Sequence, residues 1–168
     1  TDIEVFDVSD PTNPIYISGT NAINPVAGVA ISGNYLYSVN LNTSDELEVY
    51  DIADPANLVK VGGVDLGNNA NNIKISGNYA YIGMNGTEGL AIVDISDPSN
   101  PVDVGGADTN SNAGTIALSG NYVFVAAGDF VEAFNISSST NPFKVGEVDA
   151  VGSVGDLKVH GGRLYVAA

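Results

Sequence analysis

An all-β fold, a β-propeller of four-stranded antiparallel blades, is predicted by three observations. Two short motifs recur four times in step, the interval between copies is that of one blade, and no segment carries a helical stripe of apolar residues. The first motif is Asp7-Val8-Ser9-Asp10-Pro11, Asp51-Ile52-Ala53-Asp54-Pro55, Asp94-Ile95-Ser96-Asp97-Pro98 and Asn135-Ile136-Ser137-Ser138-Ser139, at intervals of 44, 43 and 41 residues. The second is Ser32-Gly33-Asn34-Tyr35, Ser76-Gly77-Asn78-Tyr79, Ser119-Gly120-Asn121-Tyr122 and a degenerate His160-Gly161-Gly162-Arg163, at the same intervals. A common period of about 40–45 residues is that of a propeller blade.

Each element of the unit follows from local chemistry. Thr115-Ile116-Ala117-Leu118 is a short apolar run, and Tyr122-Val123-Phe124-Val125-Ala126 is a second run rich in aromatic and β-branched residues. Gly120-Asn121 between them tolerates positive φ and makes a tight hairpin turn. The equivalents are Val29-Ala30-Ile31 with Tyr35-Leu36-Tyr37, Ile73-Lys74-Ile75 with Tyr79-Ala80-Tyr81-Ile82, and Leu157-Lys158-Val159 with Leu164-Tyr165-Val166. A third strand begins at Ile3, Leu47, Leu90 and Val131 and runs into the Asp-x-Ser-Asp-Pro segment, where Pro11, Pro55 and Pro98 remove a ladder donor and force a turn. The fourth strand, Ile15-Tyr16-Ile17, Val59-Lys60-Val61, Val102-Asp103-Val104 and Phe143-Lys144-Val145, alternates as expected of a half-solvated outer edge.

The run Leu90-Ala91-Ile92-Val93-Asp94-Ile95-Ser96-Asp97-Pro98, followed by Val104-Gly105 and Ser119-Gly120-Asn121-Tyr122-Val123-Phe124-Val125-Ala126, resembles the LVIVD repeat family of β-propellers. The resemblance spans essentially the whole chain, with the fourth unit the most divergent. It implies a surface-exposed or secreted protein and little about chemistry.

Composition narrows the function classes. The 168 residues and 44% hydrophobic content suit one domain with a real core. Five Lys+Arg against 20 Asp+Glu give a formal charge of −15, which repels phosphate backbones and anionic membranes. Nucleic acid is excluded as a partner, and no run of 18 apolar residues supports direct membrane insertion. With no Cys there is neither a disulfide framework nor a thiol nucleophile. The opening Thr1-Asp2-Ile3 reads as that of a mature or excised segment.

The chain enters at a third strand and stops after a second. A single domain over 1–168 is expected, its four blades closed into a ring by a composite blade in which N-terminal strands pair with C-terminal ones. The same phase also suits a four-repeat segment of a larger propeller, or two chains joined as eight blades.

The spacing also separates scaffold from variable loops. The distance from the third-strand Asp or Asn to the hairpin Ser or His is always 25 residues, whereas the return distance is 19, 18 and 16. All length variation therefore falls between strands two and three, in residues 40–46, 85–89 and 128–130. Insertions in repeat folds collect on one face, often the binding face. That face also holds the inter-blade connections at 21–25, 67–72, 109–114 and 150–156.

Candidate ligand-binding residues there are Asn42, Asp45, Glu46, Asn68, Asn69, Asn85, Glu88, Asn112, Asp129 and Asp156. Such oxygen ligands suit Ca²⁺, but no Asp-x-Asp-x-Asp-Gly loop occurs, so no cofactor is expected and Ca²⁺ stands as the alternative. Asn42 and Asn85 open exposed sequons and are candidate glycosylation sites, while Asn135 lies in a strand. Asp7, Asp51 and Asp94 are read as turn caps and His160 as a turn residue. These features point to a non-catalytic extracellular or cell-surface module that binds a protein or glycan through the loop face. The alternatives are a self-assembling subunit of a surface layer or filament, and a glycosidase-like hydrolase using Glu46, Glu88 or Asp129 at an acidic channel mouth.

Overall fold

The computed structural model describes residues 2–22, 25–41 and 44–168, and every regular element in it is a β-strand. In chain order these are β1 (Ile3–Asp7), β2 (Ile15–Thr20), β3 (Val26–Ser32), β4 (Tyr35–Asn40), β5 (Leu47–Asp51), β6 (Val59–Val64), β7 (Ala70–Ser76) and β8 (Tyr79–Met84). They continue as β9 (Leu90–Asp94), β10 (Val102–Ala107), β11 (Ala113–Ser119), β12 (Tyr122–Ala127), β13 (Phe130–Asn135), β14 (Phe143–Asp149), β15 (Asp156–His160) and β16 (Arg163–Ala167).

The strands form three intact antiparallel blades, β3–β6, β7–β10 and β11–β14, with half-blades β1–β2 and β15–β16 at the two ends. The hairpins close as the turn chemistry requires. Ser32↔Tyr35, Ser76↔Tyr79 and Ser119↔Tyr122 are the last pairs, and Gly33, Gly77 and Gly120 adopt φ of 58°, 59° and 55°. At the opposite end of each blade the third strand is capped as expected: the carboxylates of Asp7, Asp51 and Asp94 accept the N–H of Ser9, Ala53 and Ser96 at 2.8–2.9 Å. Asn135 does the same for Ser137 at 2.9 Å.

Two features depart from the simple alternation. The fourth strand carries a bulge in all four copies, with Ile17, Val61, Val104 and Val145 as the extra residues. The inner strands also begin earlier than their apolar runs suggest, because irregularities at Val26/Gly28, Ala70/Asn72 and Ala113/Ile116 break the period of two. Asn72 and Asp156 therefore belong to strands rather than to the connections before them.

The core lies between blades. Tyr37, Val39, Leu47 and Val49 of one blade meet Ile73, Ile82, Met84 and Val93 of the next, and Tyr81, Leu90 and Ile92 meet Ile116, Val125 and Phe134. Leu157 of β15 packs on Ala117, Ala126 and Val131, and Ile3 of β1 on Leu36 and Tyr50. Contacts between blades recur at the outer strand as well. Ser18 Oγ donates to the Pro55 carbonyl at 2.5 Å, and a Cβ on Gly62 would lie 2.3 Å from the Pro98 oxygen. The sheets β1–β2 and β15–β16 are each two-stranded, and among the described residues no pairing joins them.

Candidate functional site

The connections between second and third strands meet those between blades on one face, and their backbones are tied together across blade boundaries. The Asn85 N–H donates to the Asn69 carbonyl at 2.8 Å, and the Thr109 N–H to the Thr87 carbonyl at 2.9 Å. The Gly86 N–H donates to Asn112 Oδ1 at 2.8 Å. Asn71 is the hub: its amide nitrogen donates to Asn85 Oδ1 at 2.7 Å and to the Ala113 carbonyl of the next blade at 2.8 Å. Asparagine suits this place because one amide offers two donors and an acceptor to backbone that strand pairing leaves unsatisfied. Further along the face, Ala150 N–H donates to the Asp129 carbonyl at 2.7 Å.

Buried carboxylates pin the inter-blade connections from below. Glu46 is only 3% exposed and accepts the Leu66 N–H at 2.7 Å; Glu132, fully buried, accepts the Asn110 N–H at 2.9 Å. Beside them two lysines on the outer strands close acid clusters. Lys60 Nζ lies 2.6 Å from the buried Glu48 and 3.0 Å from Asp45, and Glu48 also accepts the Tyr50 hydroxyl at 2.8 Å. Burial works against the Lys60 ammonium, but its hydrogen bonds to Glu48 and Asp45 outweigh this and hold its pKa above the ordinary value. Burial, reinforced by the bond to Glu48, pushes the Tyr50 hydroxyl pKa up. Lys144 repeats the arrangement with Glu147 and Glu132, and its pKa is raised first by the hydrogen bond to Glu147.

The middle blade breaks this pattern. Ala91 and Asp103 occupy the positions of Glu48 and Lys60, leaving a small cleft lined by Leu66, Asn68, Met84, Glu88, Ala91 and Asp103, with room for about one water molecule.

The sequence-predicted residues thus separate into groups. Asn68, Glu88, Asn112 and Asp129 are exposed on the face, and Asn69 and Asn85 are half-buried in its hydrogen-bond lattice. Asp45 is committed to Lys60, and Glu46 points inward as a brace with almost no solvent exposure. Asp156 opens β15 and bonds Lys158 and the Leu157 N–H, which together hold its carboxyl below the usual range. Asn42 lies outside the described residues. Among the described residues no three His, Asp or Glu side chains converge as a metal site. Sequence reasoning did not single out Asn71 or the buried Thr109, whose hydroxyl donates to the Ser111 carbonyl at 2.6 Å. The Asn71-Asn72 doublet at a strand start was the available signal.

Blades of four antiparallel strands, packed face to face with inner strands adjacent and loops gathered at one end, define a β-propeller. The LVIVD repeat model matches residues 25–65, 67–109 and 111–150, one match per intact blade, and the chain belongs to that family. No curated protein matches it. Among solved structures it is similar to a protein from Lactobacillus plantarum (14% identity, 98% of this chain and 56% of that one, TM-score 0.83). It is also similar to a functionally unknown protein from Desulfotomaculum acetoxidans (16%, 96% and 54%, TM-score 0.81) and to the computationally designed Ika8 protein (14%, 97% and 48%, TM-score 0.73). The chain spans about half the length of these three, and at such identities the likeness concerns the fold alone.

Proposed function

We propose that the chain is a non-catalytic binding module of the cell surface or extracellular space that takes a protein or glycan on its loop face. One observation carries this reading. The variable segment at 85–89 is tied to the next blade through Asn71, and the inter-blade connections beside the variable loops are tied from beneath by Glu46 and Glu132. A braced frame under variable loops lowers the ordering cost of recognition and leaves specificity to the exposed side chains. Asn68, Glu88 and Asn112 present amide and carboxylate groups of the kind that hydrogen-bond sugar hydroxyls or polar peptide.

The test is a printed glycan panel probed with the wild-type chain and with an N68A/E88Q variant, and binding that survives both substitutions removes these two side chains from the account. Binding that the variant loses, at an unchanged melting temperature, supports the reading.

A further inference from the structure

Asn85-Gly86 is the one Asn-Gly pair in the chain, and it opens the variable segment between β8 and β9. Asparagine is a thermolabile side chain, and it is most labile before glycine, where no side chain hinders the next backbone nitrogen from attacking the carboxamide. In the hairpin turns the order is reversed. A tyrosine follows Asn34, Asn78 and Asn121, and its bulk shields the corresponding nitrogen.

The loop requires both residues of the labile pair. Gly86 has φ of 92°, a conformation that a residue with a Cβ adopts only under strain. Asn85 Oδ1 accepts from Asn71 Nδ2 at 2.7 Å, and its N–H donates to the Asn69 carbonyl at 2.8 Å. Other asparagines surround the bond itself. The Gly86 N–H donates to Asn112 Oδ1 at 2.8 Å, and the Asn68 carboxamide lies over Gly86, its Nδ2 3.4 Å from where a Cβ would stand. Attack needs the Gly86 nitrogen, stripped of its proton, aligned against Asn85 Cγ. A nitrogen that has given up its proton cannot donate it to Asn112. Asn71 fixes the carboxamide and Asn112 fixes the N–H, so neither partner is free to move onto the other.

We infer that Asn85-Gly86 is a site of spontaneous deamidation that the folded loop face holds in check, with Asn112 as its guard. In the reaction the Gly86 nitrogen loses its proton and bonds to Asn85 Cγ, while the Cγ–N bond breaks and the side-chain nitrogen leaves as ammonia. Water then opens either carbonyl–nitrogen bond of the cyclic imide, leaving an aspartyl or an isoaspartyl residue at 85. The isoaspartyl form threads an extra carbon into the main chain and pulls Gly86 away from Asn112. The face then loses its tie at this blade boundary, so its chemical lifetime follows how often the loop opens.

Peptide mapping by mass spectrometry, on chains held at mildly alkaline pH, reads the conversion at position 85. Wild type unfolded in guanidinium should convert several-fold faster than folded wild type. N112A should convert several-fold faster than wild type while its melting curve shows it folded, and N112D, which keeps an acceptor oxygen, should be protected like wild type. Folded wild type that converts as fast as the unfolded chain would overturn the proposal, and so would a folded N112A chain with the wild-type rate. If N112A unfolds at the assay temperature, N112D decides in its place: a folded N112D chain that converts as fast as the unfolded one would remove Asn112 Oδ1 as the guard.

Discussion

Asp94 accepts the Ser96 N–H at 2.9 Å, and Asn135 does the same for Ser137 without a charge. The geometry of an oxygen two residues before an N–H is therefore what the turn requires, and ionisation is an addition to it. That addition is visible in the pKa: the backbone N–H of Ser9 holds Asp7 below its ordinary value, and that of Ser96 does so for Asp94. A carboxyl depressed in the folded state contributes stability that is present above its unfolded value of 3.8 and is lost as pH falls through the lower folded value. D94N, which keeps the acceptor and drops the charge, is expected to melt like wild type near neutral pH and to lose less stability on acidification. D94A is expected to melt a few degrees lower at neutral pH. Thermal melts of the three proteins at neutral pH and below pH 3.8 decide it. A D94N chain as unstable as D94A at neutral pH would show that charge, not the acceptor, holds the turn.

At the scale of elements, the outer strand sets how closely blades approach. Gly62 has no side chain because the Pro98 carbonyl occupies the place a Cβ would take, at 2.3 Å, and backbone cannot swing aside as a flexible side chain does. G62A is expected to cost about 1–3 kcal/mol as an overpacked contact. G146A, at the same position of the repeat with no atom within 4 Å of the added Cβ, is expected to be close to neutral. Paired denaturant titrations check this, and equal losses at the two glycines would show that the effect is intrinsic to the strand. Most of these elements were legible beforehand. The Gly-Asn turns, the Asp-x-Ser-Asp-Pro stops and the alternation of the second strands are local signals, and the strands fall where they predict. The bulges were not legible, because an added residue such as Asn71 or Val104 breaks the period of two on which strand reading depends. The loop face was legible as a place, through the variable spacing, but Asn71 and Glu46 were not legible as braces. Whether an amide or a carboxylate points outward or inward is decided by contacts with the neighbouring blade.

For the whole molecule, a period of 41–44 residues specifies strands per unit and says nothing of curvature, so ring closure was beyond the sequence's reach. What composition does specify is a field. Twenty acidic groups against five basic ones repel one another in the folded state, and salt weakens that repulsion as the screening length falls from about 10 Å at 0.1 M to about 3 Å at 1 M. The partly buried Lys60–Glu48 and Lys144–Glu132 pairs, with each glutamate fully buried, are screened far less than exposed charges. Added sodium chloride should therefore raise the melting temperature rather than lower it. Alkali should act in the opposite sense. Lys60 and Lys144 have folded pKa values raised above 10.5, and Tyr50 has one raised above 10.0, so each contributes stability that is fully present below those values. That contribution is lost as pH climbs through the folded values, while the chain gains negative charge. Melts across a salt series near neutral pH, and across pH 9 to 11 at fixed high salt, separate the two effects. A melting temperature that falls with salt would mean that attraction at the lysine clusters outweighs the net repulsion of the acidic surface.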